Sequence, residues 1–417
     1  MLEVKGFRGF RFDIERVGSL DRVVTPPYDV ISHEQRRDFA GLSPHNMVHL
    51  ILPEAVDELT RHQVAARTLE EWIAQGVLRQ DPEDSLYIVE QAFLDSAGVG
   101  RFRRGLLGAV KLPEPGENPI LGHEGTFKHV LDDRRRLIEA TRANLSPVFA
   151  LYSDEEHALD GFLNQVTKRP ADALAHTADG VAQRLWRVPN DNSVTEFFRD
   201  KRLYIADGHH RFHTACAYRD AMRDAEKPDG PRPYDYILMG LVSLTDPGLD
   251  INPTHRLMPA PEGFQPTAFL TALDQWFEVT PVKDDLAAKV EGAPGCVFGV
   301  AIHGVGRYLL SLRDVDREEM LGADRGPAWR DLDVAVLHRG IIEAFLGIEE
   351  GRQLTYERDA RAALAAVESG RYGIAFLLKR VHAGQIRACA EAGEPMPHKS
   401  TYFFPKMPSG LVIHRLV

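Results

Sequence analysis

Apolar runs of strand length alternate with amphipathic helical stretches along the whole of this 417-residue chain. Short continuous or alternating apolar runs predict strands, and apolar residues spaced three and four apart predict helices. The longest apolar runs, such as residues 237–244, are far shorter than the ~20 residues that span a bilayer. The sequence therefore predicts an α+β protein with mixed sheets, hairpins and flanking helices, and no transmembrane helix.

Paired apolar runs separated by turn residues predict two hairpins. Residues 85–94 and 103–112 flank a glycine-containing turn at 96–100, and residues 297–312 turn at 303–306. Other strands are predicted at 147–152, 186–188, 202–206, 236–244 and 372–378. Helices are predicted at 59–75, 128–144, 193–201, 267–277, 332–346, 357–368 and 383–392.

A stretch of prolines and glycine at 259–266 breaks this periodicity and predicts a domain boundary. Two domains also suit the chain length, since domains of roughly 100–200 residues are usual. We expect residues 1–258 to form a phosphate- or nucleotide-binding domain and residues 259–417 to form a second α+β domain. The segment of about 397–417 combines Lys-Ser-Thr with three aromatic residues, so we expect it to dock back on the site.

The charge and cysteine content limit the partners of the chain. A net charge of −11 repels nucleic acid and anionic membranes, so any phosphate site must be a local basic pocket. The three cysteines are scattered, without metal-finger or CxxC spacing, which predicts a reducing compartment. The N-terminal residues show no signal-peptide pattern. We therefore expect a cytoplasmic protein that binds a small molecule rather than duplex nucleic acid or membrane.

The sequence Asp207-Gly208-His209-His210-Arg211 lies between a predicted strand and a helix that runs to about residue 226. Glycine permits a tight turn and a close backbone approach to a ligand. The first turn of the helix offers free N–H groups and the positive end of the helix dipole, which together bind anions. The histidines and the arginine add side-chain donors. This pattern predicts phosphate binding.

The Asp207 carboxylate would repel a phosphate, so we expect this residue to have a role other than direct phosphate binding. We interpret it as a base that takes a proton from a hydroxyl, or as a metal ligand. One alternative is that Asp207 merely caps the helix and the histidines are ordinary surface residues. Another is a metal site, because His209 and His213 are four residues apart on one helical face beside Asp207.

Other loops carry candidate residues. Two prolines precede Tyr28 and Asp29 and restrict the backbone that would present them to a ligand. The predicted loop at 123–126 contains His123 and Glu124, which suit proton transfer, and Thr126. For both loops, the alternative is packing or solvation without a function. The arginines at 134–136 are interpreted as a solvated mixed-charge helix face.

Two further motifs lie near the ends of the predicted domains. Thr254, His255 and Arg256 form a second His-Arg motif after a proline. Near the C-terminus, Lys399 and Lys406 flank the aromatic segment, and either lysine is a candidate phosphate ligand. The alternative for this segment is aromatic anchoring with lysines that contact no ligand.

Five motifs, in this order, resemble a known family over nearly the whole chain. They are Pro-Pro-Tyr-Asp-Val, His-Glu-x-Thr, Ala-Asp-Gly-His-His-Arg, Pro-Thr-His-Arg and Lys-Ser-Thr-Tyr-Phe-Phe-Pro-Lys. They resemble the bacterial and archaeal family called domain of unknown function 1015. The Asp-Gly-His-His-Arg turn also looks like the nucleotide-binding turn of the ParB/sulfiredoxin superfamily, which includes free-serine kinases. That resemblance implies a ParB/sulfiredoxin-like element in the N-terminal half.

The second resemblance implies phosphate binding by Gly208, His209, His210 and Arg211, with a nucleotide and Mg²⁺ as cofactors. We therefore predict a phosphoryl-transfer enzyme acting on a small hydroxyl metabolite, with serine or phosphoserine as the best candidate. Asp207 would be the base or the magnesium ligand. His123 and Glu124 would serve as further acid/base residues, and Tyr28, Asp29, Thr126, Thr254, His255 and Arg256 would contact the substrate. A phosphoserine phosphatase and a non-catalytic nucleotide or metabolite sensor are the alternatives.

Overall fold

The computed structural model describes residues 1–96, 98–348 and 353–417. The chain divides into two compact units. Unit 1 comprises Met1–Gly122, Thr126–Asp250 and Pro405–Val417, and unit 2 comprises His123–Gly125 and Ile251–Phe404. The division after Asp250 precedes the boundary predicted at 258, because the strand His255–Met258 joins the sheet of unit 2. The Pro- and Gly-rich stretch that suggested the boundary is thus a loop inside unit 2.

Unit 1 is built on a large mixed sheet. Its strands, in order, are Ile120–Leu121, Leu203–Asp207, Val148–Tyr152, Tyr236–Ser243, Gly100–Lys111, Ser85–Leu94, Ala182–Pro189 and Ala173–His176, and Val4–Lys5 pairs with Gly100–Lys111. The pairs Ile120–Leu121 with Leu203–Asp207 and Val148–Tyr152 with Tyr236–Ser243 are parallel. The other pairs are antiparallel. The central strand Tyr236–Ser243 is buried along its whole length, as its apolar sequence requires.

Unit 1 contains short and long α-helices along its sequence. They span Ile14–Val17, His33–Leu42, Val48–Ile51, Arg61–Ala74, Lys128–Thr141, Asp160–Thr167, Asn192–Phe198 and His209–Glu226. Phe212, Ala215 and Tyr218, on one face of the last helix, join the core with Ile205 of the sheet. Three- and four-residue spacing places these side chains on one face, so the sequence pattern determines which side of the helix is buried.

Capping residues fix several helix boundaries. Thr60 and Gln63 form a capping box at the start of Arg61–Ala74, where each side chain bonds the other's backbone N–H. The helix Lys128–Thr141 ends where Arg142 adopts a left-handed conformation with φ of 47°. Residues Ala143–Asn144 then form a strand with His414–Arg415, so the helix is shorter than the predicted 128–144.

The C-terminal segment Pro405–Val417 is embedded in unit 1. Its backbone bridges to Thr25 through Ser409 and to Phe10 through Ile413. Met407 fills the space over Gly105 and Gly240, where an added Cβ would come within 3.3 Å of the Met407 Cε. A Cβ at either strand position would require the end of the Met407 side chain to shift, so glycine at both positions suits the packing of the C-terminal segment on the sheet.

Unit 2 contains an antiparallel sheet of Phe277–Pro281, Gly306–Leu312, Val297–Ile302, Ile374–Leu378, His255–Met258 and Thr355–Glu357, in that order. Its helices span Pro266–Leu273, Leu286–Gly292, Arg317–Leu321, Pro327–Arg330, Asp333–Ala335, Ala344–Leu346, Ala360–Glu368 and Ala383–Glu391, with a π-helix at Val336–Glu343. Leu286 and Val290 pack with Leu364 and Val367 in the core of this unit.

The α+β class and both hairpins are confirmed, although Ala97 of the first predicted turn lies outside the described residues. The helix predicted at 267–277 is wrong in its second half. It ends at Leu273, and Phe277 begins an edge strand with Gly306–Leu312, because pairing in the sheet outweighs local helical preference. No helix in the described ranges is long and apolar enough to cross a membrane.

Candidate functional site

The strand Leu203–Asp207 passes into the helix His209–Glu226 through Gly208 alone. Gly208 has φ of +94°, a conformation that residues with a Cβ rarely adopt. A Cβ at this position would also lie 3.0 Å from the guanidinium of Arg211. Gly208 is the N-cap, and no side chain in the described part of the chain caps the helix. The alternative in which Asp207 caps the helix is therefore wrong.

Asp207 is instead held by two cations. Its Oδ1 accepts a hydrogen bond from Lys406 Nζ at 2.5 Å, and its Oδ2 accepts one from Arg211 at 2.5 Å. The three side chains are only 10–12% exposed. Burial by itself would raise the pKa of Asp207, but the charges of Lys406 and Arg211 hold this pKa well below its usual range. Asp207 is thus an anion under all ordinary conditions and a weak base.

Arg211 connects this ion pair to a small cavity. Its guanidinium also donates to the carbonyl oxygen of Pro147, while its buried Nε has no hydrogen-bond partner among the described residues. Arg211 lines a cavity of about 60 Å³ together with Tyr28, Arg134 and Thr214. The Thr214 hydroxyl is likewise buried without a partner within those residues. This volume suits a few waters or a small polar group, but not a whole nucleotide.

Tyr28 and Arg134 also line this cavity. Tyr28 begins a 3-10 helix, Tyr28–Val30, and the Arg134 guanidinium lies 4.2 Å from its ring centroid. Burial, then the charge of Asp29, raises the pKa of Tyr28 to about 12. Asp29 itself is exposed. The solvated role expected for 134–136 is wrong for Arg134, which is buried and donates to the Ile51 carbonyl and to Asp133.

The two histidines of the turn differ in their surroundings. His209 is 3% exposed, and a Cβ on Gly122 would lie 3.0 Å from its ring. His210 stacks on Phe127 with the ring planes 17° apart, and its Nε2 accepts a hydrogen bond from the Phe127 N–H at 3.0 Å. The acceptor nitrogen must be unprotonated, so His210 is neutral in this arrangement. Thr126, beside Phe127, is half-buried.

The described residues contain no group of three His, Cys, Asp or Glu side chains that could hold a metal ion. The metal site formed by Asp207, His209 and His213 is therefore wrong. A magnesium ion bound mainly by phosphate oxygens and water needs only one or two protein carboxylates. Asp207 could bind such an ion if one of its carboxylate oxygens gave up its hydrogen bond to Lys406 or Arg211.

The remaining predicted site residues belong to unit 2. His123 is fully buried, 3.3 Å from the Thr401 hydroxyl, and it is edge-on to Phe403. Its neighbour Glu124 is half-buried. Lys399 has φ of 55°, and its carbonyl oxygen accepts a hydrogen bond from a guanidinium nitrogen of Arg256 at 3.2 Å.

Arg256 is fully buried and makes several hydrogen bonds within unit 2. It donates to His338 Nε2 at 3.0 Å and to backbone oxygens, among them that of Thr254. Burial, then the charge of Arg256, lowers the pKa of His255 to about 4, and the His255 Nδ1 accepts from the Leu378 N–H. The structure thus brings Asp207, Arg211, Lys406 and Tyr28 together in unit 1, and it assigns His123, Glu124, Thr254, His255, Arg256 and Lys399 to unit 2.

One known family matches most of this sequence. The family model described as protein of unknown function (DUF1015) matches residues 4–335. The chain belongs to this family. No curated protein matches the DUF1015 chain.

Solved structures similar to this DUF1015 protein resemble it only loosely. A conserved hypothetical protein from Pyrococcus furiosus is 14% identical, with 70% of this chain and 90% of that chain covered and a TM-score of 0.35. Free serine kinase in complex with AMP is 12% identical, with 70% and 86% covered and a TM-score of 0.36. SbnI with C-terminal truncation from Staphylococcus aureus is 11% identical, with 72% and 84% covered and a TM-score of 0.35.

Sequence reasoning missed several residues of the site in this DUF1015 protein. Arg134 and Thr214 line the cavity, and so do Asn144 and Ser146 just before the strand Val148–Tyr152. The polar sequence Asn-Leu-Ser-Pro at 144–147, between a predicted helix and a predicted strand, is the signal that could have found Asn144 and Ser146. Arg134 carried no such signal, because its charged neighbours made it look like part of a solvated helix face.

Proposed function

We propose that this DUF1015 protein binds the phosphate of a nucleotide or phosphorylated metabolite at the Gly208 turn and catalyses phosphoryl transfer involving a small hydroxyl compound, with serine as the first candidate. The observation that carries the proposal is the convergence of Lys406 and Arg211 on Asp207 beside an uncapped helix N-terminus. The substrate of such an enzyme would be a cytoplasmic metabolite, and duplex DNA would not bind because of the net charge of −11.

The charges at the turn favour an anion. Lys406 and Arg211 carry two positive charges against the single negative charge of Asp207. The helix dipole contributes about 0.3–1 kcal/mol toward binding an anion, and each hydrogen bond to a charged group about 1.5–3 kcal/mol. Phosphoryl transfer depends mainly on positioning and on stabilising charge at the phosphate, which is what such a cluster supplies.

Asp207 has one of two roles under this proposal. In the first role it would coordinate Mg²⁺ bound to the phosphates, and Lys406 would turn from Asp207 to the ligand. In the second role it would accept the proton of the attacking hydroxyl. Its low pKa makes the first role the stronger candidate. Tyr28 and Thr126, which belong to the same unit as Asp207, remain proposed substrate contacts.

The low pKa of Asp207 also supports a second candidate, a non-catalytic sensor of nucleotides or phosphorylated metabolites. Such a module requires the same anion site but no base. A phosphatase would use the same phosphate ligands as a kinase, with water in place of the acceptor hydroxyl.

The decisive experiment combines binding and turnover. Thermal shift with ATP, ADP, serine and phosphoserine, each with and without Mg²⁺, identifies the ligand class. Assays for ADP formation and phosphate release then separate a kinase, a phosphatase and a sensor. We expect Lys406→Met to lose the ligand-induced stabilisation, while Lys168→Met, at an exposed lysine of the same unit, keeps it. Ligand shifts that are equal in both variants would remove the Gly208 turn from the proposal.

A further inference from the structure

Unit 1 contains a second cleft whose lining shares no residue with the Gly208 turn. It has a volume of about 270 Å³ and lies between the N-terminal residues around Lys5 and Arg8, the loop at Arg232, and the C-terminal residues His414 and Arg415. This volume is close to the ~300 Å³ at which small-molecule sites begin. The cleft is therefore large enough for a small metabolite.

Positive charge predominates among the side chains that line this cleft. Lys5, Arg8, Arg232 and Arg415 are cationic, and Asp84 is the carboxylate among the described lining side chains. Arg415 is only 14% exposed and pairs with Glu70 at 2.8 Å, a contact that uses one of its terminal nitrogens. The charges of Lys5, Arg8 and Arg232 outnumber the charge of Asp84, and this excess of positive charge in the cleft attracts an anion.

Two buried nitrogen atoms of the cleft wall have no hydrogen-bond partner among the described residues. They are the Nδ1 of His414 and the Nε of Arg415. His414 is 6% exposed and stands edge-on to Phe7, with the ring centroids 4.7 Å apart. Burial, then the charge of Lys5, lowers the pKa of His414 to about 3, so the ring is neutral near pH 7 and can donate from Nδ1.

Buried donors without acceptors are uncommon, because each costs about 1–3 kcal/mol when left unsatisfied. Both nitrogens belong to residues that line the cleft, so a ligand with oxygen acceptors would remove this cost once the side chains that cover the nitrogens move aside. We propose that the cleft lined by Lys5, Arg8, Arg232, His414 and Arg415 binds the phosphate group of a small phosphorylated metabolite. Guanidinium groups match the geometry of phosphate oxygens, and the rings of Phe7 and Tyr236 give the organic part of the ligand an apolar wall.

The test follows the His414 ring during a titration with inorganic phosphate. The full chain is labelled with ¹⁵N-histidine, and the His414 signals are assigned by their loss in His414→Asn. We expect a saturable shift of these signals with phosphate but not with sodium chloride at the same ionic strength. Arg232→Gln should weaken the apparent affinity about fivefold, as expected for one partly exposed charge. Arg8→Gln, at another exposed arginine of the cleft, should act in the same direction.

Arg67→Gln is the matched control. The Arg67 side chain is 70% exposed, and it pairs with Glu71 on the same helix of unit 1. This substitution should leave the His414 titration unchanged. A His414 ring that does not respond to phosphate, or that responds equally in Arg232→Gln and Arg67→Gln, would overturn the proposal. Phosphate binding at the Gly208 turn is distinguished by Arg232→Gln, because Arg232 lines the second cleft and not the cavity beside Arg211.

Discussion

The Nζ of Lys406 lies 2.5 Å from Oδ1 of Asp207, although the two residues are 199 positions apart in the sequence. The C-terminal segment holds the lysine in this position. Gln91 donates to the Lys406 carbonyl at 3.0 Å, and the Arg103 guanidinium donates to that of Pro405. A residue near the end of the chain therefore completes the charge cluster at the Gly208 turn.

The low pKa of Asp207 predicts an acid-dependent loss of stability. A carboxyl group whose pKa is lowered by folding stabilises the protein above its unfolded-state pKa, and this contribution is lost as the pH falls toward the folded-state pKa. For Asp207 the loss begins below its ordinary value of 3.8. It amounts to at most about 1.4 kcal/mol per pH unit. Urea unfolding of the wild type and Asp207→Asn between about pH 5 and pH 3 should show a shallower dependence in the variant.

Asp246→Asn provides the control of opposite sign. Burial raises the pKa of Asp246, so this carboxyl group favours the folded state more as the pH falls. Removing it should make the acid loss of stability steeper than in the wild type. A wild-type curve that is parallel to the Asp207→Asn curve over this range would contradict the charge arrangement described for Asp207.

Gly208→Ala should both strain the turn and displace Arg211. A left-handed conformation costs a residue with a Cβ about 1–2 kcal/mol, and the new methyl group would lie 3.0 Å from the Arg211 guanidinium. Gly116→Ala separates the two effects, because Gly116 has φ of +89° but no atom within 4 Å of the added Cβ. We expect Gly208→Ala to lose more stability than Gly116→Ala and to lose phosphate-induced thermal stabilisation as well. Equal effects of the two substitutions would show that Arg211 is not held over the glycine.

The elements with strong local signals were predictable from the sequence. The helix His209–Glu226 ends where it was expected, and Ser85–Leu94 and Val297–Ile302 are strands of the predicted hairpins. Their apolar periodicity and turn residues are properties of adjacent residues. The edge strand Phe277–Pro281 was not predictable, because it depends on pairing with a strand that is distant in the sequence.

The turn at Gly208 could be recognised as a candidate anion site because glycine, histidine and arginine are adjacent in the sequence. The partners of Asp207 could not be assigned in this way. Lys406 reaches Asp207 only after the C-terminal segment has entered unit 1, and Arg134 is buried through contacts with Tyr28 and Ile51, which are distant from it in the sequence. These contacts depend on tertiary packing, which short-range patterns do not contain.

Met407→Ala should destabilise unit 1 by about 2–4 kcal/mol, the usual cost of truncating a buried methionine. The Met407 side chain is 3% exposed and fills the space left by Gly105 and Gly240. Leu94→Ala, at a leucine that is 66% exposed, should change the free energy of unfolding by less than about 0.5 kcal/mol. Chemical denaturation of both variants measures this difference. A small effect of Met407→Ala would mean that the C-terminal segment contributes little to the stability of unit 1.

Asp207→Asn should remove turnover while preserving or increasing phosphate affinity. The amide loses the negative charge that Lys406 and Arg211 share, and removing this carboxylate from two buried cations costs about 3 kcal/mol of stability. A bound phosphate restores a negative charge beside them. In the absence of Mg²⁺, we therefore expect phosphate or nucleotide to raise the melting temperature of Asp207→Asn more than that of the wild type.

The control for this result is Glu90→Gln, which removes a buried carboxylate of unit 1 that is paired with Arg104 at 2.8 Å and with Arg184 at 2.6 Å. This substitution also leaves two cations without their carboxylate, but Arg184 is 45% exposed and can be solvated. The ligand-induced shift of this control should equal that of the wild type.

Near-normal turnover in Asp207→Asn would remove Asp207 from the catalytic residues. A ligand-induced shift smaller than that of the wild type would contradict the idea that phosphate and the Asp207 carboxylate are stabilised by the same two cations.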